Sequence, residues 1–220
     1  MIKKTSNIQL PRLPKNAATI YLDETIGDEQ YISHGKIENI ELRDIYAEKV
    51  HFEKVVFKNV SFQEVEFKNI ELTDCLFEKC DLSNTDFSDA IIHRVAMKTC
   101  KAIGVDFSGS TLRNVIFDHC LANYASFVFS NCKQLQFHAC SLREADFYEA
   151  KLKQAIFNHC DIDQAKLAGL SLKGIDLSTC SFENLVVSID KLEGCIISPD
   201  QAIGFAKVLG LIIKETQEES

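Results

Sequence analysis

Every fifth residue from Ile32 to Ile197 is apolar, in one register without a break. The positions run Ile32, Ile37, Leu42, Ala47, Phe52 and Phe57 through to Leu192 and Ile197, 34 in all with Met97 and Cys132 counted among them. Thirteen of the 15 Phe residues sit there, so the pattern is one of bulk as well as polarity. A helix repeats every 3.6 residues and a half-buried strand every 2, so neither holds a period of five. A period of five kept over 166 residues demands a solenoid, in which small units stack and share one continuous core.

A second period counts the units per turn. Cys80, Cys100, Cys120, Cys140, Cys160 and Cys180 are spaced 20 apart, each two residues before a large apolar position. Four five-residue sides therefore make one square coil. Coils joined by backbone hydrogen bonds rise about 4.8 Å each, so some eight and a half coils make a rod roughly 40 Å long. Positions ending in 0 or 5 are mostly small or β-branched, as at Val55, Val60, Val65, Ile70, Thr85, Ala90, Ser110 and Ala125. Each side thus points one large and one small residue inward, the complementary volumes that close packing needs. The three remaining positions face water.

Composition fits one soluble domain. Net charge is −8, which disfavours direct nucleic-acid binding, because a DNA binder needs clustered Lys and Arg. No apolar run is long enough to span a bilayer and no signal segment is evident, so a cytoplasmic location is expected. Eight of the nine cysteines occupy the inward small position and Cys132 the large one. Free Cys packs as a small hydrophobe, and a line of thiols does not converge into a tetrahedral metal site. His119, His138 and His159 lie outward on one wall, and His119 and His159 are about 10 Å apart by the coil rise, too far to share a metal ion. No phosphate loop, nucleophile elbow or metal motif appears. The expectation is a protein with no metal or cofactor and no enzymatic activity.

The outward charges segregate by wall. The wall built on Phe87, Phe107, Phe127 and Phe147 carries Asp86, Asp89, Asp106, Asp146 and Glu149, with Glu66 one coil earlier and Lys166 as the exception. The next wall, built on Ile92, Leu112, Cys132, Leu152 and Leu172, carries His93, Arg94, Arg113, Lys133, Lys151, Lys153 and Lys173. The preceding wall adds Asp81, Glu144, Asp161 and Asp163. A molecule negative on one side steers toward a basic groove. The plainer alternative is that these charges only keep the rod soluble.

Both ends must be covered. Residues 1–31 lack the repeat and hold the run Leu10-Pro11-Arg12-Leu13-Pro14, so they are read as an N-terminal capping segment, with 32–197 as the repeat. Ser198-Pro199-Asp200-Gln201 is a helix start with a capping box. Ala202, Phe205, Ala206 and Leu209 then fall on one face. Gly210 ends the helix, and Leu211 to Ile213 reads as a short strand. This segment, 198–213, either caps its own coil or forms a two-fold contact through Ala202, Phe205, Ala206, Leu209, Leu211 and Ile213. Residues 214–220 are read as a flexible acidic tail.

Units such as CDLSN, TDFSD, ADFYE and CDIDQ carry a resemblance to pentapeptide-repeat proteins, which implies an all-β solenoid, a right-handed quadrilateral β-helix, with the C-terminal α-helix appended. SPDQAIGFAKVLGLII and NYASFVFSN are similar to the Qnr quinolone-resistance group, above all to chromosomal members from Gram-positive bacteria. That likeness implies a homodimer joined through its C-terminal segment and a DNA mimic. Its partners would be DNA gyrase and topoisomerase IV, which it would protect from fluoroquinolones. Plasmid-borne members carry loops that interrupt the coil, and this register holds none. The acidic strip of Asp86, Asp89, Asp106, Asp146 and Glu149 is the expected partner surface. The rival reading is an adaptor or scaffold with no topoisomerase role.

Overall fold

The computed structural model describes residues 8–22, 26–208 and 210–214. It is a parallel β-solenoid in which each residue lies beside its equivalent 20 positions on, as in Phe117 beside Phe137 and Phe137 beside Phe157. The ladder is regular. Phe87 N–H donates to Asp106 of the next coil at 2.8 Å, and Asp106 N–H donates back to Thr85 at 3.0 Å. The apolar fifth positions form the core, with Phe52, Phe57, Phe67 and Phe77 through Phe147 almost wholly buried. Rings stack from coil to coil, Phe57 on Phe77 at 4.5 Å and Phe127 on Phe147 at 4.7 Å between centroids.

Every corner from Glu29 to Gln164 turns through a left-handed residue two places after the large apolar one, with φ between 49° and 68°. The walls nevertheless differ. Eight-residue strands such as Ile91–Lys98, Thr111–Asp118 and Asn131–His138 run along the basic wall, round the corner and along the next. From residue 80 to 165 the other two walls are turns held by single bridges, and the acidic wall then regains a short ladder, Lys166–Leu167 beside Val186–Val187. Their corners are closed by hydrogen bonds such as Ala90 N–H to Phe87 and Ser130 N–H to Phe127. With φ positive at the third residue, these are type II turns.

All nine cysteines are free thiols. In the six-membered ladder each thiol donates to a carbonyl 23 residues back, at 3.3 to 3.7 Å. Burial pushes the Cys75 thiol up to about 12 and Cys132 to about 11, so both stay protonated. Among the described residues no three His, Cys, Asp or Glu groups converge on a metal position. No described helix is long and apolar enough to cross a membrane.

At the N-terminal end, Ala18–Thr19 pairs with Gly35–Lys36, and Ile20, Leu22 and Ile26 close the first coil. Upstream of that, the chain does something the sequence did not suggest. Gln9 N–H donates to Asn114 Oδ1 and Arg12 N–H to Asp74 Oδ1, both at 2.9 Å. Asn114 and Asp74 are two coils apart, about 10 Å, which three extended residues just span. Residues 9–12 are therefore a strap running back along the outside of the rod.

At the other end the helix is Pro199–Val208. The capping box forms: Ser198 N–H donates to Gln201 Oε1 at 2.9 Å, and Gln201 N–H donates to Ser198 Oγ at 3.3 Å. Gln201 Nε2 also donates to the Leu177 and Cys180 carbonyls, tying the helix onto the last coil. Gly210, at φ 76°, and the bond from Leu211 N–H to Ala206 complete a Schellman ending. The expected strand at Leu211 to Ile213 does not form, and these residues have no regular secondary structure. Leu209 and residues 215–220 of the acidic tail lie outside the described residues.

Candidate partner-binding site

The acidic strip is real as a line. Glu66, Asp86, Asp106, Ser126, Asp146 and Lys166 are successive bridge partners down one wall. Each Asp also has a local task. Asp86 and Asp106 accept the backbone N–H groups of Ser88 and Ser108 at 2.8 Å, and Asp146 accepts that of Tyr148 at 2.9 Å. These are Asx turns, which pin one carboxylate oxygen and leave the other outward. Lys166 reaches Asp146 at 3.4 Å, so the far end of the strip is partly neutralised. Asp89 and Glu149 stand at exposed corners of the same wall. Their side chains lie over Gly109 and Gly169, where a Cβ would meet the carboxylates at 2.3 and 2.7 Å.

The strip has a gap at Ser126, and the structure fills it with rings. Tyr124 and Phe129 stand at the two edges of that coil, 58% and 64% exposed, and Tyr148 lies one coil on. Phe129 and Tyr148 meet edge to face at 5.8 Å. The hydrogen bond to Glu144, one coil on, raises the Tyr124 phenol above its ordinary value. The charge count passed over these rings, although three outward aromatics within 25 residues break the polar rule of the repeat.

The basic wall is less basic than its composition. Arg94 is largely buried in a two-pronged pair with Asp74, at 2.6 and 2.7 Å, and it also contacts the His93 ring. Burial alone would push the Asp74 carboxyl up, but the Arg94 guanidinium and the Arg12 amide hold it below the ordinary range. Burial and the Arg94 charge push His93 down. The strap crosses this corner and hides Asp74 and Asn114. Arg113, Lys151, Lys153 and Lys173 remain exposed. On the preceding wall Arg143 bridges Asp161 at 3.2 Å and Asp163 at 2.8 Å. Asp163 accepts the Glu183 and Asn184 amides at 2.9 Å, which hold its carboxyl low.

At the C-terminal end Phe205 is buried, edge to face with Phe182 at 5.7 Å between centroids. It covers its own last coil because Gln201 holds the helix there. Ala202 is exposed and Ala206 half-buried, while Ile203, Leu211, Ile212 and Ile213 present apolar surface to water.

Residues 70–147 match the family described as "Pentapeptide repeat region", and residues 130–169 and 145–184 match "Pentapeptide repeats (8 copies)". A segment of 32 residues is 59% identical to the uncharacterized protein YisX of Bacillus subtilis (strain 168), a match covering 14% of this chain and 15% of that protein. Among solved structures, a trypsin-treated variant of QnrB1, a plasmid-mediated fluoroquinolone resistance protein, is 19% identical. That comparison covers 91% of this chain and all of the other, with a TM-score of 0.48. Full-length QnrB1 is 17% identical over 80% of this chain and all of its own, with a TM-score of 0.41. The two family matches together run unbroken from residue 70 to 184 on a coil of four five-residue sides, and the chain belongs to the pentapeptide-repeat proteins.

Proposed function

We propose that this protein is a non-catalytic, cytoplasmic binding protein that engages DNA gyrase and topoisomerase IV through its acidic wall and protects them from fluoroquinolones. The observation that carries this reading is the line of Asp86, Asp106 and Asp146, with Asp89 and Glu149 at its edge, on a wall whose neighbouring rings face water. Its carboxylates are held by Asx turns on a stiff ladder, so their negative field is presented without reorganisation. A DNA-accepting surface is basic and takes a rod of such charge. The likeness of the 198–213 segment and of NYASFVFSN to the Qnr group adds the choice of partner.

The decisive experiment is gyrase supercoiling with and without ciprofloxacin. Changing Asp86, Asp106 and Asp146 together to Lys is expected to abolish protection and to weaken gyrase binding, most at low salt. Changing Arg113, Lys133 and Lys153 together to Glu is expected to do much less. Loss of protection only in the second variant would move the partner surface to the basic wall.

The proposed assembly is a homodimer through the C-terminal segment. Its support is the exposed apolar run Leu211, Ile212 and Ile213, with Ile212 92% exposed. Ala202, Ala206 and Leu209 stay in the proposed interface, and Phe205 supports it from beneath by fixing the helix. Leu211→Arg with Ile213→Arg is expected to give a monomer with the β-rich spectrum intact. An unchanged mass by light scattering would place the contact elsewhere.

A further inference from the structure

Two of the rings in the gap of the acidic strip stand at its corners. Tyr124 and Phe129 are the third residues of the type II turns Ala122–Ala125 and Phe127–Ser130, with φ of 61° and 57°. A left-handed φ favours Gly or Asn and is unfavourable for a bulky side chain. Equivalent corners carry Asn84, Gly104 and Glu144 on the Tyr124 edge and Asp89, Gly109 and Glu149 on the Phe129 edge, none of them aromatic. Phe129 is also more than half exposed, so burial returns little. Among the described residues, Tyr124 and Phe129 are the only Tyr or Phe side chains at a left-handed corner. A cluster of three exposed rings on an otherwise polar face is apolar surface of the kind found at recognition sites.

The surroundings indicate what is recognised. Asp106 lies one coil before the gap and Asp146 one coil after it. Glu144 is bonded to Tyr124, and Glu149 follows Tyr148 at the Phe129 edge. Ring faces edged by carboxylates suit a planar cation, which stacks on the π-face and pairs with the acids at once. We infer that Tyr124, Phe129 and Tyr148 are the anchor of this docking wall and that they take arginine side chains from a basic protein surface. The inference rests on the reading of this wall as a docking surface. It adds that the rings supply specificity for arginine while the carboxylates supply the long-range field. Anchors of this sort, aromatic and central with charges at the rim, carry most of the affinity in protein interfaces.

The test uses the full-length protein and two probes, an oligoarginine and an oligolysine peptide of equal length, followed by calorimetry. The wild type is expected to bind oligoarginine about threefold to fivefold more tightly than oligolysine. Phe129→Asn with Tyr148→Ser is expected to bring the two peptides to equal affinity and to leave the melting temperature unchanged or higher. Asp106→Asn with Asp146→Asn is expected to weaken both peptides and to keep the preference. With purified DNA gyrase, the ring variant is expected to lose about tenfold in affinity with its salt dependence unchanged, the size of a typical hot-spot loss. Equal binding of the two peptides by the wild type overturns the proposal, as does an arginine preference that survives the ring variant. So does a fall of several degrees in melting temperature, which would make the rings part of the fold's own packing. If the wild type prefers arginine through the rings but does not bind gyrase, the anchor stands and the choice of topoisomerase as partner fails.

Discussion

Two adjacent walls of one rod share a core and a register, yet one is built of turns and the other of strands. On the turn-built wall the corners are type II, the carboxylates are pinned by local amides, and rings project into water. On the strand-built wall, long parallel strands run past the corner, and the N-terminal strap crosses it, held by Asn114 and Asp74. Outward charge therefore means different things on the two walls. Asp106 stands half-exposed on its Asx turn. Arg94 is consumed internally by Asp74 and the strap. A repeat makes all walls alike in backbone pattern, and nonperiodic contacts make them unlike in surface.

The largest difference between the walls is expected in the core that both share. Phe127→Ala, under the turn-built wall, is expected to cost about 3–5 kcal/mol. It stacks on Phe107 at 5.3 Å and on Phe147 at 4.7 Å, so the cavity would open on two coils. Cys132→Ala, under the strand-built wall, removes one sulfur and is expected to cost about 1 kcal/mol. Equal losses in denaturant melts would show that the rings do not dominate the packing.

Next in size is the strap. Asp74→Ala leaves Arg94 buried without its partner and frees the Arg12 amide, with an expected cost of about 3 kcal/mol. Asp106→Ala, on the turn-built wall, is expected to cost less than about 1 kcal/mol, since it gives up a half-exposed turn bond. Hydrogen exchange at Gln9 and Arg12 should rise in the first variant and stay level in the second. A strap that keeps its protection without Asp74 would make Asn114 its principal tether.

Acid should act through the same residue. The Asp74 carboxyl is held below its ordinary value in the folded chain, so its contribution is fully present above about pH 4 and is lost as pH falls through the lower folded value. Protection of the Arg12 amide, corrected for intrinsic exchange, is expected to hold from neutrality to about pH 4 and to fall below it. Protection that fell already at pH 6 would point to His93 as the group in control.

The smallest effect lies inside the turn-built half. Thr85 is fully buried, and among the described residues its hydroxyl has no hydrogen-bond partner. Ser110, the inward residue five sides on, donates its hydroxyl to the Phe107 carbonyl at 2.5 Å. Thr85→Val is therefore expected to raise stability by about 1 kcal/mol and Ser110→Ala to lower it by a similar amount. Opposite signs in paired melts are the check.

The period, the coil of four sides, the inward pair of each side, the cysteine ladder and the capping box at Ser198 and Gln201 are all legible in the residues alone. Each of these is a local burial rule repeated down the chain, and repetition averages away noise at any single residue. The acidic line of Asp86, Asp106 and Asp146 was legible for the same reason, since a 20-residue coil fixes which charges stack. Which of those charges stay exposed and which are tied up in internal pairs depends on contacts made in three dimensions. The strap joins Gln9 to Asn114, 105 residues apart, through a side-chain oxygen at a left-handed corner, and no period encodes such a pair. The Arg94–Asp74 and Arg143–Asp163 pairs obey the coil spacing, but their burial depends on what lies over them. Phe205 read as one face of an amphipathic helix, and helical spacing says which residues share a face but not what that face meets. The amide of Gln201, bonded to the Leu177 and Cys180 carbonyls, turned that face inward onto Phe182, because a solenoid's open end leaves both carbonyls and an apolar disc in need of cover.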